Sequence, residues 1–138
     1  MSGILFLCTA NACRSQMAEG IARHLLPPNI AVFSAGTRPT ALDPRAVQVL
    51  AEVGIDIADH RAKPIGEIPM DAVDRVITLC GGAAESCPAV LEKQRDHWPL
   101  PDPAAAVGSV DEVLAIFRSV RDDILRRVRA LADSETAR

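Results

Sequence analysis

Thirteen residues near the start of the chain, Cys8 to Gly20 (CTANACRSQMAEG), limit what it can fold into more than any other stretch. The apolar run Gly3-Ile4-Leu5-Phe6-Leu7 stands just before them, as expected of a central buried strand. A helix-like segment follows directly. Strand, tight loop and helix N-terminus in that order make a socket for an oxyanion. Backbone N–H groups converge on the anion, the helix end adds partial positive charge, and Arg14 offers a bidentate fork. A thiol at the mouth of such a socket is favoured as thiolate by the same field. The loop residues are Cys8, Thr9, Ala10, Asn11, Ala12, Cys13 and Arg14. Ser15 can donate a hydrogen bond to a Cys8 thiolate, and Asn11 tolerates the left-handed turn that such a loop needs. The chemistry indicated is attack by sulfur on a tetrahedral oxyanion.

The rest of the chain alternates strand-like and helix-like segments, which predicts a parallel sheet with helices on both faces. A helix is expected over Ser15–Leu26, stopped by Pro27-Pro28, and a second strand over Ile30–Ala35. Asp43-Pro44 reads as an N-cap followed by proline at the first helical position, with the helix Ala46–Val53 ending at Gly54. Arg75–Leu79 is the third strand and leads into Cys80, and Asp96–Trp98 is a short fourth. Pro99–Pro103 reads as loop. Ser109 and Glu112 form a capping box that opens the last helix. Val110, Val113, Leu114, Phe117, Ile124, Val128 and Leu131 give that helix an apolar face. Arg118, Arg121, Asp122, Arg126, Arg127 and Arg129 read as its solvated face, with fraying expected from Ser134. Residues 1–138 are expected to form a single domain.

Charge and cysteine spacing narrow the function. A net charge of −3 argues against a nucleic-acid footprint, and no apolar stretch reaches membrane-spanning length. With no basic lead of a secretory signal, the expectation is a cytoplasmic protein that needs no disulfide staple. The four cysteines are Cys8, Cys13, Cys80 and Cys87. Zinc is the plain alternative for four cysteines, but the spacings lack two-residue knuckles, and His24, His60 and His97 all lie away from them in sequence. No metal and no cofactor are expected.

Asp102-Pro103 supplies a second piece of chemistry. A substrate oxygen must leave with a proton, and a carboxylic acid reaching the far side of the bound oxyanion can provide it. Aspartate before proline is also a plain turn signal. Beside an anion loop, the catalytic role becomes the better reading.

With these residues in view, the chain resembles the low-molecular-weight tyrosine phosphatase superfamily and, within it, the thioredoxin-coupled arsenate reductases. The resemblance runs through CTANACRSQMAEG, Phe33-Ser34-Ala35-Gly36, Gly54-Ile55-Asp56-Ile57, Val76-Ile77-Thr78-Leu79-Cys80, Cys87-Pro88, His97-Trp98 and Asp102-Pro103. It implies a three-layer α/β sandwich around a four-stranded parallel sheet. It also implies a relay. Cys8 attacks arsenate while Asp102 protonates the departing oxygen. Cys80 attacks Cys8 and releases arsenite, and Cys87 attacks Cys80 to leave a Cys80–Cys87 disulfide for thioredoxin. Catalytic roles thus fall to Cys8, Arg14, Ser15, Cys80, Cys87 and Asp102. A monomer is expected, with arsenate and thioredoxin as partners. Cys80 and Cys87 are seven positions apart, about 10 Å of rise if helical, whereas a disulfide needs Cα atoms within roughly 7 Å. An order change across residues 80–90 on oxidation follows from that mismatch.

Some members of this group bind potassium beside the anion loop through an asparagine, a glutamate, a serine and an aspartate. Asn11, Glu19 and Ser34 match, but Lys63 stands where the aspartate is expected. An ammonium beside Glu19 would repel a cation and replace it electrostatically, so activity independent of potassium is expected. A low-molecular-weight tyrosine phosphatase is the rival reading. It would use Cys8, Arg14 and Asp102 and leave Cys80 and Cys87 without a task. A thiol module that sequesters arsenite or zinc without turnover is the rival from another class. Cys13 has no place in the relay, and His24, His60 and His97 are assigned no chemistry.

Overall fold

The computed structural model describes residues 1–79 and 94–136. The expectations placed on Cys80 and Cys87, on a bond between them and on an order change across 80–90 lie outside the described residues.

The chain enters the core at once. Strand β1, Gly3–Cys8, is buried along its whole length, as its unbroken apolar run requires. It pairs in parallel with β2 (Ala31–Gly36) on one side and β3 (Arg75–Thr78) on the other. Strand β4, Gln94–His97, pairs in parallel with β3, giving the order β2-β1-β3-β4. This is the α/β architecture with a four-stranded parallel sheet that the sequence indicated. The strand begins two residues earlier than expected and stops before Trp98, whose N–H still reaches the Thr78 carbonyl at 2.8 Å. Trp98 packs on Phe6, with ring centroids 5.8 Å apart, under the Arg127 guanidinium.

Three α-helices lie among the described residues: α1 (Arg14–Leu25), α2 (Pro44–Ala51) and α3 (Val110–Thr136). They pack against one another, and Phe117 of α3 is fully buried beneath the Arg45 guanidinium of α2. Helix α1 starts at Arg14, one residue before the expected Ser15. Helix α2 starts as expected, with the Asp43 side chain accepting the Arg45 N–H. It closes at Ala51 rather than Val53, and Gly54, at φ 80°, turns the chain out of it. The capping box of α3 forms in both directions: Glu112 N–H donates to Ser109 Oγ at 3.1 Å, and Ser109 N–H donates to Glu112 Oε1 at 3.2 Å. A short 3-10 turn, Pro103–Ala105, stands at the end of the stretch read as loop.

Three expectations for α3 are corrected. Val110 is 76% exposed, because it occupies the first helical position, a turn before Val113 and Leu114 enter the core. Arg121 does not belong to a solvated face. It is buried, donating from Nη1 to the Val49 carbonyl at 3.0 Å and to Glu52 Oε1 at 2.7 Å. An arginine stem covers apolar surface while its head finds acceptors, and periodicity alone is blind to that. The helix also continues through Ser134 and Glu135, whose carboxylate lies 3.7 Å from the Met1 amino group.

Candidate active site

The loop after β1 gets its shape from where its carbonyls go. The Cys8, Thr9, Ala10 and Ala12 carbonyls accept the N–H groups of Thr37, Arg38, Thr40 and Asp43, the segment that follows β2, at 2.8–3.1 Å. The Asn11 carbonyl accepts Gln16 Nε2 at 3.1 Å, and the Cys13 carbonyl accepts Met17 N–H at 2.9 Å as α1 begins. In a trans peptide the C=O and the next N–H point opposite ways, and the chain has no cis bond among its described residues. Carbonyls turned out to these braces therefore turn the N–H groups of residues 9–14 toward the loop's interior. The bend is completed at Asn11, in the left-handed region at φ 51°, as its residue type allows.

Cys8 Sγ sits inside this curl, with Cys8 only 2% exposed. Asn11 N–H donates to the sulfur at 3.2 Å, and Ser15 Oγ lies 2.8 Å from it. The direction of the second bond follows from Asn11. Its Nδ2 donates to Ser15 Oγ at 2.7 Å and to Ser34 Oγ at 3.1 Å. Ser15 accepts there and has its own hydrogen to give to the sulfur. Asn11 Oδ1 accepts from Gln16 Nε2 at 3.0 Å and from the Lys63 N–H at 3.0 Å. A fully buried asparagine is thus satisfied on every side, which is the condition for keeping it in the core.

Behind this network lies Glu19, itself only 3% exposed. Ser34 Oγ donates to its Oε1 at 2.6 Å, and Arg23 Nη1 reaches its Oε2 at 3.1 Å. Lys63 Nζ lies 3.4 Å from Glu19 Oε1, 3.3 Å from Ser34 Oγ and 3.4 Å from the Arg61 carbonyl. Asn11, Glu19, Ser34 and Lys63 are therefore one cluster, with an ammonium among its oxygens. His60 Nδ1 meets Gln16 Oε1 at 3.1 Å and lies 3.5 Å from Glu19 Oε2. Burial lowers the His60 pKa, with Glu19 opposing the shift.

The other wall of the site comes from the loop after β4. Arg14, 9% exposed, donates from Nη1 to the Leu100 carbonyl at 3.2 Å, and its Nη2 is 3.8 Å from Asp102 Oδ2. Asp102 Oδ1 accepts the Ala104 N–H at 3.0 Å, which leaves Oδ2 as the oxygen on the Arg14 side. Cys8, Thr9, Ala10, Ala12, Cys13, Arg14, Asp102 and Ala104 line a cleft of about 140 Å³. Two larger hollows elsewhere, about 440 and 410 Å³, contain none of these groups. The Cys8 sulfur, the Arg14 guanidinium and the Asp102 carboxyl converge on the small cleft, whose size suits a compact oxyanion.

Several contributors were not singled out from the sequence. The 37–43 brace acts through backbone and leaves no side-chain signature. Gln16 was hidden in a helix face. Gly36 is required by close approach: a Cβ there would stand 2.5 Å from the Thr9 carbonyl oxygen and 3.0 Å from Asn11. No group of three or more His, Cys, Asp or Glu side chains suited to a metal occurs among the described residues.

Comparison with known proteins agrees with this geometry. The family model for low molecular weight phosphotyrosine protein phosphatase matches residues 3–137. The chain is 44% identical over 132 residues to the arsenate reductase of Halalkalibacterium halodurans, covering 95% of each chain. It is equally similar to that of Bacillus subtilis, at 44% over 132 residues with 95% of each covered. A solved arsenate reductase in its phosphate-binding state superposes with a TM-score of 0.84 at 36% identity, over 97% of this chain and 98% of that one.

Proposed function

The chain belongs to the low molecular weight phosphotyrosine protein phosphatase family and, within it, to the arsenate reductases, and we propose that it reduces arsenate to arsenite through a relay of three cysteines. Arsenate enters the cleft with its oxygens on the inward N–H groups and the Arg14 guanidinium. Cys8 attacks arsenic, its sulfur oriented by Ser15 and Asn11. Asp102 hands a proton to the departing oxygen from Oδ2, the side facing Arg14.

Cys80 then attacks Cys8. A sulfur–sulfur bond forms, the sulfur–arsenic bond breaks, and arsenic keeps the electron pair, leaving as arsenite. Cys87 attacks Cys80, frees Cys8 and leaves a Cys80–Cys87 disulfide. A dithiol partner, thioredoxin, reduces that bond by exchange. One observation carries the reductive reading over a phosphatase: Leu79 N–H donates to the Leu7 carbonyl at 2.9 Å. Leu7 directly precedes Cys8 in the sequence and Leu79 directly precedes Cys80, and a phosphatase would leave the Cys80/Cys87 pair without a task. The shared loop chemistry predicts a weak phosphatase side activity.

The Glu19 cluster completes the reading. Lys63 takes the place of a cation beside the buried carboxylate, and turnover needs no potassium. The protein acts as a cytoplasmic monomer.

The test is arsenate-dependent NADPH oxidation with thioredoxin and its reductase. Cys8→Ser, Cys80→Ser and Cys87→Ser should each abolish multiple turnover. Cys87→Ser should still release arsenite once per chain and hold a Cys8–Cys80 bond. If mass spectrometry after arsenate exposure finds residue 80 bonded to neither residue 8 nor residue 87, the relay is wrong and a phosphatase remains.

A further inference from the structure

Cys13 takes no step in the relay, yet it lines the cleft that holds Cys8. Two thiols around one oxyanion are a hazard. Once arsenic is on Cys8, a Cys13 thiolate attacking the Cys8 sulfur would form an S–S bond, break the S–As bond and send arsenic out as arsenite with the electron pair. The oxidising equivalents would then sit in a Cys8–Cys13 bond, out of reach of the partner that reduces Cys80–Cys87. Such exchange runs through the thiolate, so the protonation of Cys13 decides whether it happens.

Cys13 is 4% exposed, and its Sγ donates to Asp43 Oδ2 at 3.5 Å. Asp43 is itself held firmly. Its N–H bonds the Ala12 carbonyl at 3.0 Å, and its Oδ1 accepts the Arg45 N–H at 2.9 Å and Arg45 Nε at 3.0 Å. Arg45 Nη2 reaches Oδ2 at 2.8 Å. Although burial opposes it, these bonds from Arg45 hold the Asp43 carboxyl below its usual range, so it is ionised. An ionised carboxylate only accepts, and the sulfur facing it must carry the hydrogen.

We propose that Asp43 is a positioning residue that holds Cys13 as a neutral hydrogen-bond donor and so keeps the second thiol of the cleft from attacking the first. The charged and titratable groups around Cys13 agree in direction. Burial first, then Asp43, with Asp102 from the loop after β4 and Cys8 from β1, push the Cys13 thiol well above the usual cysteine range. Arg45 is the opposing charge, and it is tied to Asp43.

The hazard rests on the proposed reaction; the protonation of Cys13 does not, and the first arm of the test needs no arsenate. In a Cys8→Ser/Cys80→Ser/Cys87→Ser chain, Cys13 is the sole thiol, and its alkylation by iodoacetamide is followed against pH. Half-maximal alkylation is expected well above the value of about 8.5 for an ordinary cysteine. A half-point near the ordinary value overturns the proposal without any change at Asp43. Adding Asp43→Asn, or Asp43→Ser, preserves a residue able to cap α2. Either should lower the half-point by a unit or more, about a tenfold gain in rate at pH 8. Loosening alone would raise the rate equally at every pH, and an unmoved half-point overturns the proposal. In the second arm, Asp43→Asn in the otherwise unaltered chain receives one equivalent of arsenate without reductant. A severalfold gain in Cys8–Cys13 bonded peptide over the parent is expected. A shifted half-point with no such gain overturns the guarding role and leaves the relay untouched.

Discussion

Ser15→Ala is the sharpest probe of how the loop makes its sulfur reactive. The hydroxyl lies 2.8 Å from Cys8 Sγ, and it accepts from Asn11 Nδ2 at 2.7 Å. Removing it takes away one of the two donors to the sulfur found among the described residues and leaves the Asn11 N–H at 3.2 Å. A hydrogen bond to a charged group contributes about 1.5–3 kcal/mol, so kcat/KM should fall roughly 10- to 150-fold. The same change strands a buried amide hydrogen on Asn11, at a cost of about 1–3 kcal/mol in folding stability. The two effects separate by assay. Single-turnover arsenite release in thioredoxin-free buffer reports the sulfur, and the urea midpoint reports the stranded amide. A variant within threefold of the parent in single turnover, with its midpoint lowered as expected, would show that Ser15 supports Asn11 and does nothing for Cys8. That result refutes the reasoning.

Gly36→Ala should push the loop, because its Cβ would meet the Thr9 carbonyl at 2.5 Å; overpacking of this kind costs about 1–3 kcal/mol, and arsenate turnover should fall roughly tenfold or more. Turnover should be equal in potassium and sodium chloride at matched ionic strength, and Lys63→Met should lower the urea midpoint by about 1–3 kcal/mol equivalent by leaving buried Glu19 with less positive charge. Clear activation by potassium would refute the ammonium's role. Hydrogen bonds from Arg118 and then Arg121 lower the Glu52 carboxyl to about 2 in the folded chain, against about 4.3 unfolded. A depressed folded value means that stabilisation is present above the unfolded pKa and lost as pH falls toward 2. The thermal midpoint should drop across that window, less steeply in high salt, and Glu52→Gln should flatten part of the drop.

Features that depend on near neighbours were legible in the order of the amino acids. The apolar run before Cys8, the Asn11 turn, the start of α1 at the loop's end and the Ser109–Glu112 box all rest on backbone preferences and bonds spanning a few residues, and all appear in the fold. Tertiary structure decided which distant group satisfies each buried polar atom. Gln16 reaches the Arg61 carbonyl across 45 residues, Cys13 meets Asp43 across 30, and Arg121 reaches the Val49 carbonyl across 72. Composition marks Arg121 as a surface residue and Cys13 as loop filler. Only packing creates the low-dielectric place where a missing partner is costly, and so only packing selects the partner. The brace over residues 37–43 makes the same point. It turns the anion loop's N–H groups inward through backbone alone, which any sequence able to follow that path could supply.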